Sequence, residues 1–198
     1  MFRPFSFMES SRIKNIEMKV LFIGGTGNIS TPSSRLAVAK GMDLYLLNRG
    51  KAKVDIKGAH SIIGDINKPD ELEELKKHEW DVVVNWIAFT PDDIERDIEL
   101  FKGKTKQYIF ISSASCYQTP LSYPVITEST PLHNNLWDYS QGKIQCEDRL
   151  QKAYREEGFP ITIVRPSLTY DTVIPIAVGG FDKFNTAQRI LDGKEIIV

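Results

Sequence analysis

Cysteine and histidine are scarce in this chain, with two cysteines (Cys116 and Cys146) and three histidines among 198 residues. Two thiols with no C-x-x-C spacing make no disulfide framework and fit a reduced, cytoplasmic setting. His60, His78 and His133 show no metal-ligand spacing and read as surface residues, so no metal is expected. An excess of one charge sign is missing too. Twenty-five Lys and Arg against 26 Asp and Glu give a net charge of −1, which excludes a generally basic nucleic-acid binder. No apolar run reaches the ~18 residues that a membrane span needs. Residues 1–17 hold an early arginine and three phenylalanines, but no h-region and no small-residue cleavage site. They read as a mobile extension or the product of an upstream start codon, not as a signal peptide. What remains is ordinary for a globular domain: 41% hydrophobic and 26% charged residues, enough to bury one sizeable core.

From Met18 the pattern alternates. Residues 18–24 (MKVLFIG) form a continuous apolar run ending in glycine, as in a strand buried on both faces. Further strands are predicted at 43–48 (DLYLLN), 60–64 (HSIIG), 81–85 (DVVVN), 106–112 (KQYIFIS) and 160–165 (PITIVR). A helix is predicted over 28–40, with Ile29, Leu36 and Ala37 on one side. Another runs from Pro69 to His78, its early acids and late bases matching the helix dipole. A third starts at Thr90-Pro91, an N-cap followed by an N1 proline, and runs to about Phe101. The fourth covers 138–156. Residues 114–137 contain Pro120, Pro124 and Pro131 and resist regular assignment. Strands separated by helices predict an α/β fold, a Rossmann-like doubly wound parallel sheet.

The first strand runs into Gly24-Gly25-Thr26-Gly27-Asn28-Ile29-Ser30. Gly24 allows a tight turn, and Gly27 lets the backbone approach a pyrophosphate. The helix that begins there, with Thr26, Asn28 and Ile29 at its entry, points free N–H groups at the anion. Ser30 stands where a third glycine is usual, and Pro32 falls in the first helical turn, so slightly distorted packing is expected. Strand two ends in Asn48-Arg49-Gly50, without a carboxylate to hold an NAD ribose. Arg49 is placed to pair with a 2′-phosphate or to stack on adenine, or is a plain surface residue in a turn. NAD(P) is therefore expected, with NADP slightly favoured. Asp65 is a second candidate near the adenine, with helix capping as the competing role.

Tyr139 and Lys143 form Y-x-x-x-K. Seven tyrosines and 16 lysines make such a pair easy to find by chance, so position decides. The i, i+4 spacing puts both on one helix face, which continues through Cys146, Leu150 and Tyr154 and should meet the sheet. The lysine charge is expected to lower the phenol pKa toward neutrality and make it a proton donor and acceptor. Strand five ends in Ser112-Ser113-Ala114-Ser115 at the carboxyl edge, where open α/β sheets place ligands. A serine hydroxyl there, with Ser115 as a substrate-side candidate, can hydrogen-bond a substrate oxygen.

Taken in order, these residues resemble the extended short-chain dehydrogenase/reductase family, in its NAD(P)-dependent epimerase/dehydratase branch. The resemblance covers residues 18–170. It rests on Gly24-x-x-Gly27, Gly64-Asp65-Ile66, strand 81–85 with Ala88, Ser112-Ser113 before Tyr117, Tyr139-x-x-x-Lys143, and Arg165-Pro166 ending strand six. It implies that Tyr139 is the catalytic acid or base. Lys143 would bind the nicotinamide ribose and tune Tyr139, and Ser113 would hold the reacting hydroxyl or carbonyl. Ile66, Ser112 and Pro166 join the cofactor-binding set, as do Trp86, Ile87 and Ala88. The run Asn85-Trp86-Ile87-Ala88-Phe89 is bulkier than the family's version and narrows the nicotinamide side. The substrate implied is a nucleotide sugar, oxidised transiently at a ring carbon. A homodimer through a four-helix bundle is implied as well. Residues 171–198 read as the start of a substrate-binding lobe that is largely missing. An NADPH-dependent carbonyl reductase and a non-catalytic dinucleotide-binding module are the alternatives.

Overall fold

A computed structural model describes residues 18–51, 54–169 and 184–195. The expectations for the extension 1–17, and for most of 171–198, lie outside the described residues. Six strands form one parallel sheet: β1 (Lys19–Ile23), β2 (Asp43–Asn48), β3 (His60–Ile63), β4 (Trp80–Asn85), β5 (Thr105–Ile111) and β6 (Ile161–Val164). Their spatial order is β3-β2-β1-β4-β5-β6. The direction of winding reverses between β1 and β4, which opens a crevice at the carboxyl ends of these strands. Phe22 of β1 pairs with Leu46 on one side and Val84 on the other.

Both faces of the central strands are apolar because both are covered. Leu21 and Ile23 pack with Tyr108 and Phe110 on one face, while Val20 and Phe22 join Leu44, Leu46 and Val84 on the other. The helices are α1 (Ser30–Ala39), α2 (Glu73–Lys76), α3 (Pro91–Phe101), α4 (Asp138–Glu157) and α5 (Asn185–Leu191). The sequence pattern does not predict α5. Ile94, Ile98 and Phe101 of α3 pack with Cys146, Leu150 and Ala153 of α4 on the same face of the sheet. Across their outer side Arg149 pairs with Glu95 and with Glu157, and Lys102 reaches Glu157 at 3.2 Å. No helix among the described residues is long and apolar enough to cross a membrane.

Three helical expectations need correction. The buried side of α1 is Ser30, Thr31, Ser34 and Ala37, whereas Leu36 is 58% exposed. The Ser34 hydroxyl donates to the Gly25 carbonyl at 2.8 Å, so small hydroxyl residues seat this helix close to the glycine turn. The segment from Pro69 is not one helix but a 3₁₀ turn, Pro69–Glu71, followed by the single turn of α2. Glu71 turns back to accept from the Asp65 N–H and from Lys68, and buried Leu72 interrupts the turns. On α4 the buried stripe runs Lys143, Cys146, Glu147, Leu150, Ala153, leaving Tyr154 60% exposed. With 3.6 residues per turn a further step of four from Leu150 overshoots the face, and a step of three does not.

His60 and His133 are exposed, as expected, and His78 is half-buried. His60 stacks on Tyr45 with centroids 4.5 Å apart, and His78 sits 5.2 Å from both Tyr45 and Trp80. Lys19 Nζ lies 3.2 Å from His78 Nδ1.

The start of α3 follows its sequence. The Asp93 N–H donates to Thr90 Oγ1, and the Asp93 carboxylate accepts from the Thr90 N–H at 3.0 Å, a reciprocal cap with Pro91 at the first helical position. One turn on, Asp97 is fully buried. It accepts from Tyr108 Oη at 2.6 Å, from Arg96 Nη2 at 2.8 Å and from Asn85 Nδ2. Burial holds its carboxyl above the usual carboxylate range. Removing Asp97 leaves the Asn85 amide and the Tyr108 phenol without their acceptor and leaves Arg96 only Asp93 and Asn67. Asp97→Ala is expected to lose about 3 kcal/mol of stability, read from the urea midpoint. A loss under about 1 kcal/mol, the worth of one ordinary hydrogen bond, would contradict this role.

Candidate active site

A cleft of about 750 Å³ opens at the winding reversal, lined by the turn after β1, the end of β2, residues 64–67 and the segment after β4. Of the predicted cofactor residues, Gly24, Thr26, Gly27, Asn28, Ile29, Asn48, Arg49, Asp65, Ile66, Trp86 and Ile87 all line it. The turn is tight at Gly25, a residue the sequence reading left out. Its φ is +101°, and a Cβ there would stand 2.7 Å from Leu46 Cδ2. At Gly27 a Cβ would meet only Ser30 Oγ, at 3.5 Å, so the steric demand falls on Gly24 and Gly25 and not on Gly27. Ser30 adds a polar contact where a glycine would give none, its hydroxyl oxygen accepting from the Gly27 N–H at 2.8 Å. The Asn28 side-chain oxygen is buried in the cleft wall without a protein partner. This cradle of free backbone, close to a helix start and scaled to a dinucleotide, fits a nucleotide diphosphate.

At the far end of β2, Asn48 Oδ1 accepts from the Gly50 N–H at 2.9 Å and shapes the turn that exposes Arg49. Lys51 lines the cleft beside it, a second cation that the spacing rule for this position does not single out. Asp65 lines the cleft, but it caps no helix: its carboxylate accepts from the Asn67 N–H at 3.0 Å in a local turn, and the 3₁₀ turn that follows Lys68 has no side-chain cap.

The proton-transfer candidates gather where β4 and β5 end. Lys143 is only 2% exposed. Its ammonium donates to the carbonyls of Ala88 at 2.6 Å and Ile111 at 2.8 Å. The rings of Phe89 and Phe110 lie 4.4 and 4.7 Å from it. Burial lowers its pKa to about 8. Ala88 thus serves through its carbonyl, which is turned by the Asn85 side chain: Oδ1 accepts from the N–H groups of Ile87 and Ala88, both at 2.8 Å. Gly142 lets α4 come this close, since a Cβ there would stand 3.0 Å from the Phe89 carbonyl.

Tyr139 is half-buried at the start of α4. Its pKa is raised, not lowered as the lysine spacing suggested. Burial is the largest cause, opposed by the Ser113 hydroxyl. The Lys143 ammonium lies 5.8 Å from the phenol ring and spends its donors on carbonyls. Ser113 Oγ is 2.8 Å from Ser115 Oγ, which also accepts from the Ser140 hydroxyl at 2.8 Å. Ser112 turns the opposite way. It is buried and donates to Glu147, so its hydroxyl is spent in a structural network outside the cleft lining. Glu147 is fully buried and meets Arg165 Nη2 at 2.6 Å, while Arg165 Nη1 donates to Tyr117 Oη at 3.1 Å. Pro166 likewise braces the serine turn, its carbonyl accepting from the Ala114 N–H at 2.9 Å.

A glycine cradle, a buried lysine and a phenol at the carboxyl edge of a doubly wound sheet set the frame for comparison with known proteins. The sequence model of the NAD dependent epimerase/dehydratase family matches residues 20–172. The chain belongs to that family. Among curated proteins this epimerase/dehydratase chain is similar to a UDP-glucose 4-epimerase of Lactobacillus helveticus, 28% identical over 169 residues, covering 75% of this chain and 51% of that protein. It therefore spans about half the length of the curated relative it matches. In fold it is similar to the UDP-Glc/GlcNAc 4-epimerase of Campylobacter jejuni, with a TM-score of 0.65, 20% identity, and 75% and 53% of the two chains covered. A UDP-glucose 4-epimerase of Bifidobacterium longum, solved with NAD+ and UDP, gives a TM-score of 0.63, 21% identity, and 75% and 52% coverage.

The lowered pKa of Lys143 has a sign that can be measured. The folded chain releases this proton near pH 8 and the unfolded chain near 10.5, so between those values the unfolded state holds more protons and stability rises with pH. Wild type should gain up to about 3 kcal/mol over Lys143→Met from pH 8 to 10.5. Urea midpoints at the two ends of that window check it, and a constant difference would mean the ammonium is not desolvated.

Proposed function

We propose that the chain acts as an NAD(P)-dependent oxidoreductase of the sugar-epimerase kind, with a nucleotide sugar as substrate, residues 18–170 binding the dinucleotide, and Ser113, Tyr139 and Lys143 acting on the reacting carbon. The observation that carries this reading is that the Lys143 ammonium is held by the Ala88 and Ile111 carbonyls 5.8 Å from the Tyr139 ring, with the Ser113 hydroxyl against the phenol, next to Ile87, Phe89 and Ile111 of the cleft wall. A bound nicotinamide supplies hydride acceptance and return. The protein's part is to hold the diphosphate on the turn from Gly24 to Ile29, to place the ring beside Ile87 and Ala88, and to move one proton. Tyr139, kept protonated by its partial burial, donates from Oη to a substrate carbonyl oxygen. In the reverse sense it accepts the hydroxyl proton, and the nearby ammonium of Lys143 stabilises the resulting phenolate through a medium of low polarity. Ser113 orients the same oxygen, and Ser115 backs it. α3 and α4 are proposed to pair with those of a second copy, which light scattering would report as twice the mass of one chain.

A carbonyl reductase is the second reading. It is favoured by the exposed cations Arg49 and Lys51 at the adenosine end, where a 2′-phosphate would be met by two positive charges. Net consumption of cofactor separates it from epimerisation, which returns the hydride.

Tyr139→Phe should lower kcat by about 10² to 10⁴, the usual worth of a positioned acid–base group, and still bind dinucleotide. Ser113→Ala should lose less, because Ser115 Oγ stands 2.8 Å from the missing hydroxyl. Turnover near that of wild type in Tyr139→Phe would remove the phenol from the mechanism. In calorimetric titrations, Arg49→Ala should weaken NADP(H) more than NAD(H). Equal affinities in wild type and variant would assign Arg49 to the surface.

A further inference from the structure

The cofactor cleft ends at Phe89, and an aromatic row continues beyond it. The centroids of Phe89 and Tyr139 are 6.1 Å apart, and Tyr139 and Trp137 follow at 4.7 Å with a 37° tilt. Trp137 is 55% exposed, although an indole gains more from burial than almost any side chain. The backbone that carries the ring is fixed. Asn134, 8% exposed, donates from Nδ2 to the Ser115 carbonyl at 2.8 Å and accepts the Leu136 N–H at 3.0 Å. The Trp137 carbonyl in turn accepts the Ser140 N–H at 2.9 Å. A buried amide thus ties the backbone leading into Trp137 to the serine turn that carries Ser113. Around it stand exposed His133, Asn135 and Asp138, hydrogen-bonding groups that a purely apolar ligand would leave unused.

We propose that Trp137 is the floor of a hexose subsite: the C–H face of the sugar ring stacks on the exposed indole, and the ring edge carrying the reacting oxygen is turned toward Tyr139 and Ser113. The assignment rests on the epimerase-type reading and adds the residue that selects a six-membered sugar ring. A pyranose suits the place because it offers an apolar face to the indole and hydroxyls at its rim to Asn135 and Asp138. Trp137 is a specificity-determining residue here, since stacking contributes equally to ground and transition states. Its loss should raise KM and leave kcat nearly unchanged.

The test uses the 198-residue chain loaded with NAD, and UDP-glucose and UDP as probes. Trp80 is 2% exposed and Trp86 is half-buried in the cleft that NAD fills, so the reporter is the share of emission lost in Trp137→Ala, and that share should be quenched by UDP-glucose but not by UDP. The preference for UDP-glucose over UDP should fall about tenfold in Trp137→Ala, in line with the loss of one aromatic contact and its buried area. Trp137→Phe should recover part of it, and NAD affinity should stay within about twofold in both variants. The proposal is overturned by an unchanged preference in Trp137→Ala, by an equal fall in NAD affinity, or by the absence of any UDP-glucose quench in wild type. Its failure is separable from that of the epimerase reading. Quenching without interconversion of UDP-glucose and UDP-galactose keeps the subsite and sinks the activity, whereas interconversion indifferent to Trp137→Ala does the reverse.

Discussion

Lys143 brings a positive charge to a place where no carboxylate, among the described residues, stands within ion-pair distance. Two carbonyls take the ammonium instead, one from the segment after β4 and one from the last residue of β5. Much of the surrounding structure is arranged to present them. Asn85 folds the chain after β4 so that the Ala88 carbonyl faces inward, and Asn85 is itself fixed by Asp97, which Tyr108 and Arg96 hold from the other side. The charge that lies nearest the phenol therefore depends on a polar chain reaching from α3 through β4 to β5. Asn85, Asp97 and Tyr108 are buried, and each would be costly to leave unpaired.

The end of β5 shows how one strand can serve structure and chemistry with adjacent residues. Successive side chains point to opposite sides, so Ser112 turns inward to Glu147 and Ser113 turns out toward Tyr139. Arg165 then locks Glu147 to Tyr117. The serine turn is thereby held at both ends, by β6 through Pro166 and by α4 through Glu147. A hydroxyl meant to orient a substrate oxygen gains from such rigidity, because misplacement by even an ångström is costly in rate.

The sequence exposed the fold well where local signals were strong. Runs such as KVLFI and DVVVN had to be buried on both faces, and Thr90-Pro91 with Asp93 announced a helix start that formed as read. The glycine turn was legible as a motif, but its critical member was not. Only the approach of Leu46 from β2 shows that Gly25 is the residue without room for a side chain. Leu36 misled because α1 is seated by hydroxyls bonding to the turn, a contact no hydrophobic pattern reports. Asn85 and Asp97 lie 12 residues apart on different elements and have no shared periodicity to reveal them. The Tyr139 pKa is out of reach of the sequence for a related reason. Spacing places the lysine on the right face, yet which groups its protons meet is settled by carbonyls from two other strands.

The outer side of the α3–α4 pair carries a consequence of its own. Arg149, Glu95, Glu157 and Lys102 neutralise one another within a single chain. Asp92 and Glu99, on the same stripe of α3 as Glu95, stay exposed and outside these pairs. A second copy meeting this side would face acids of its own sign, so association there would be resisted in dilute buffer and eased as salt screens the repulsion.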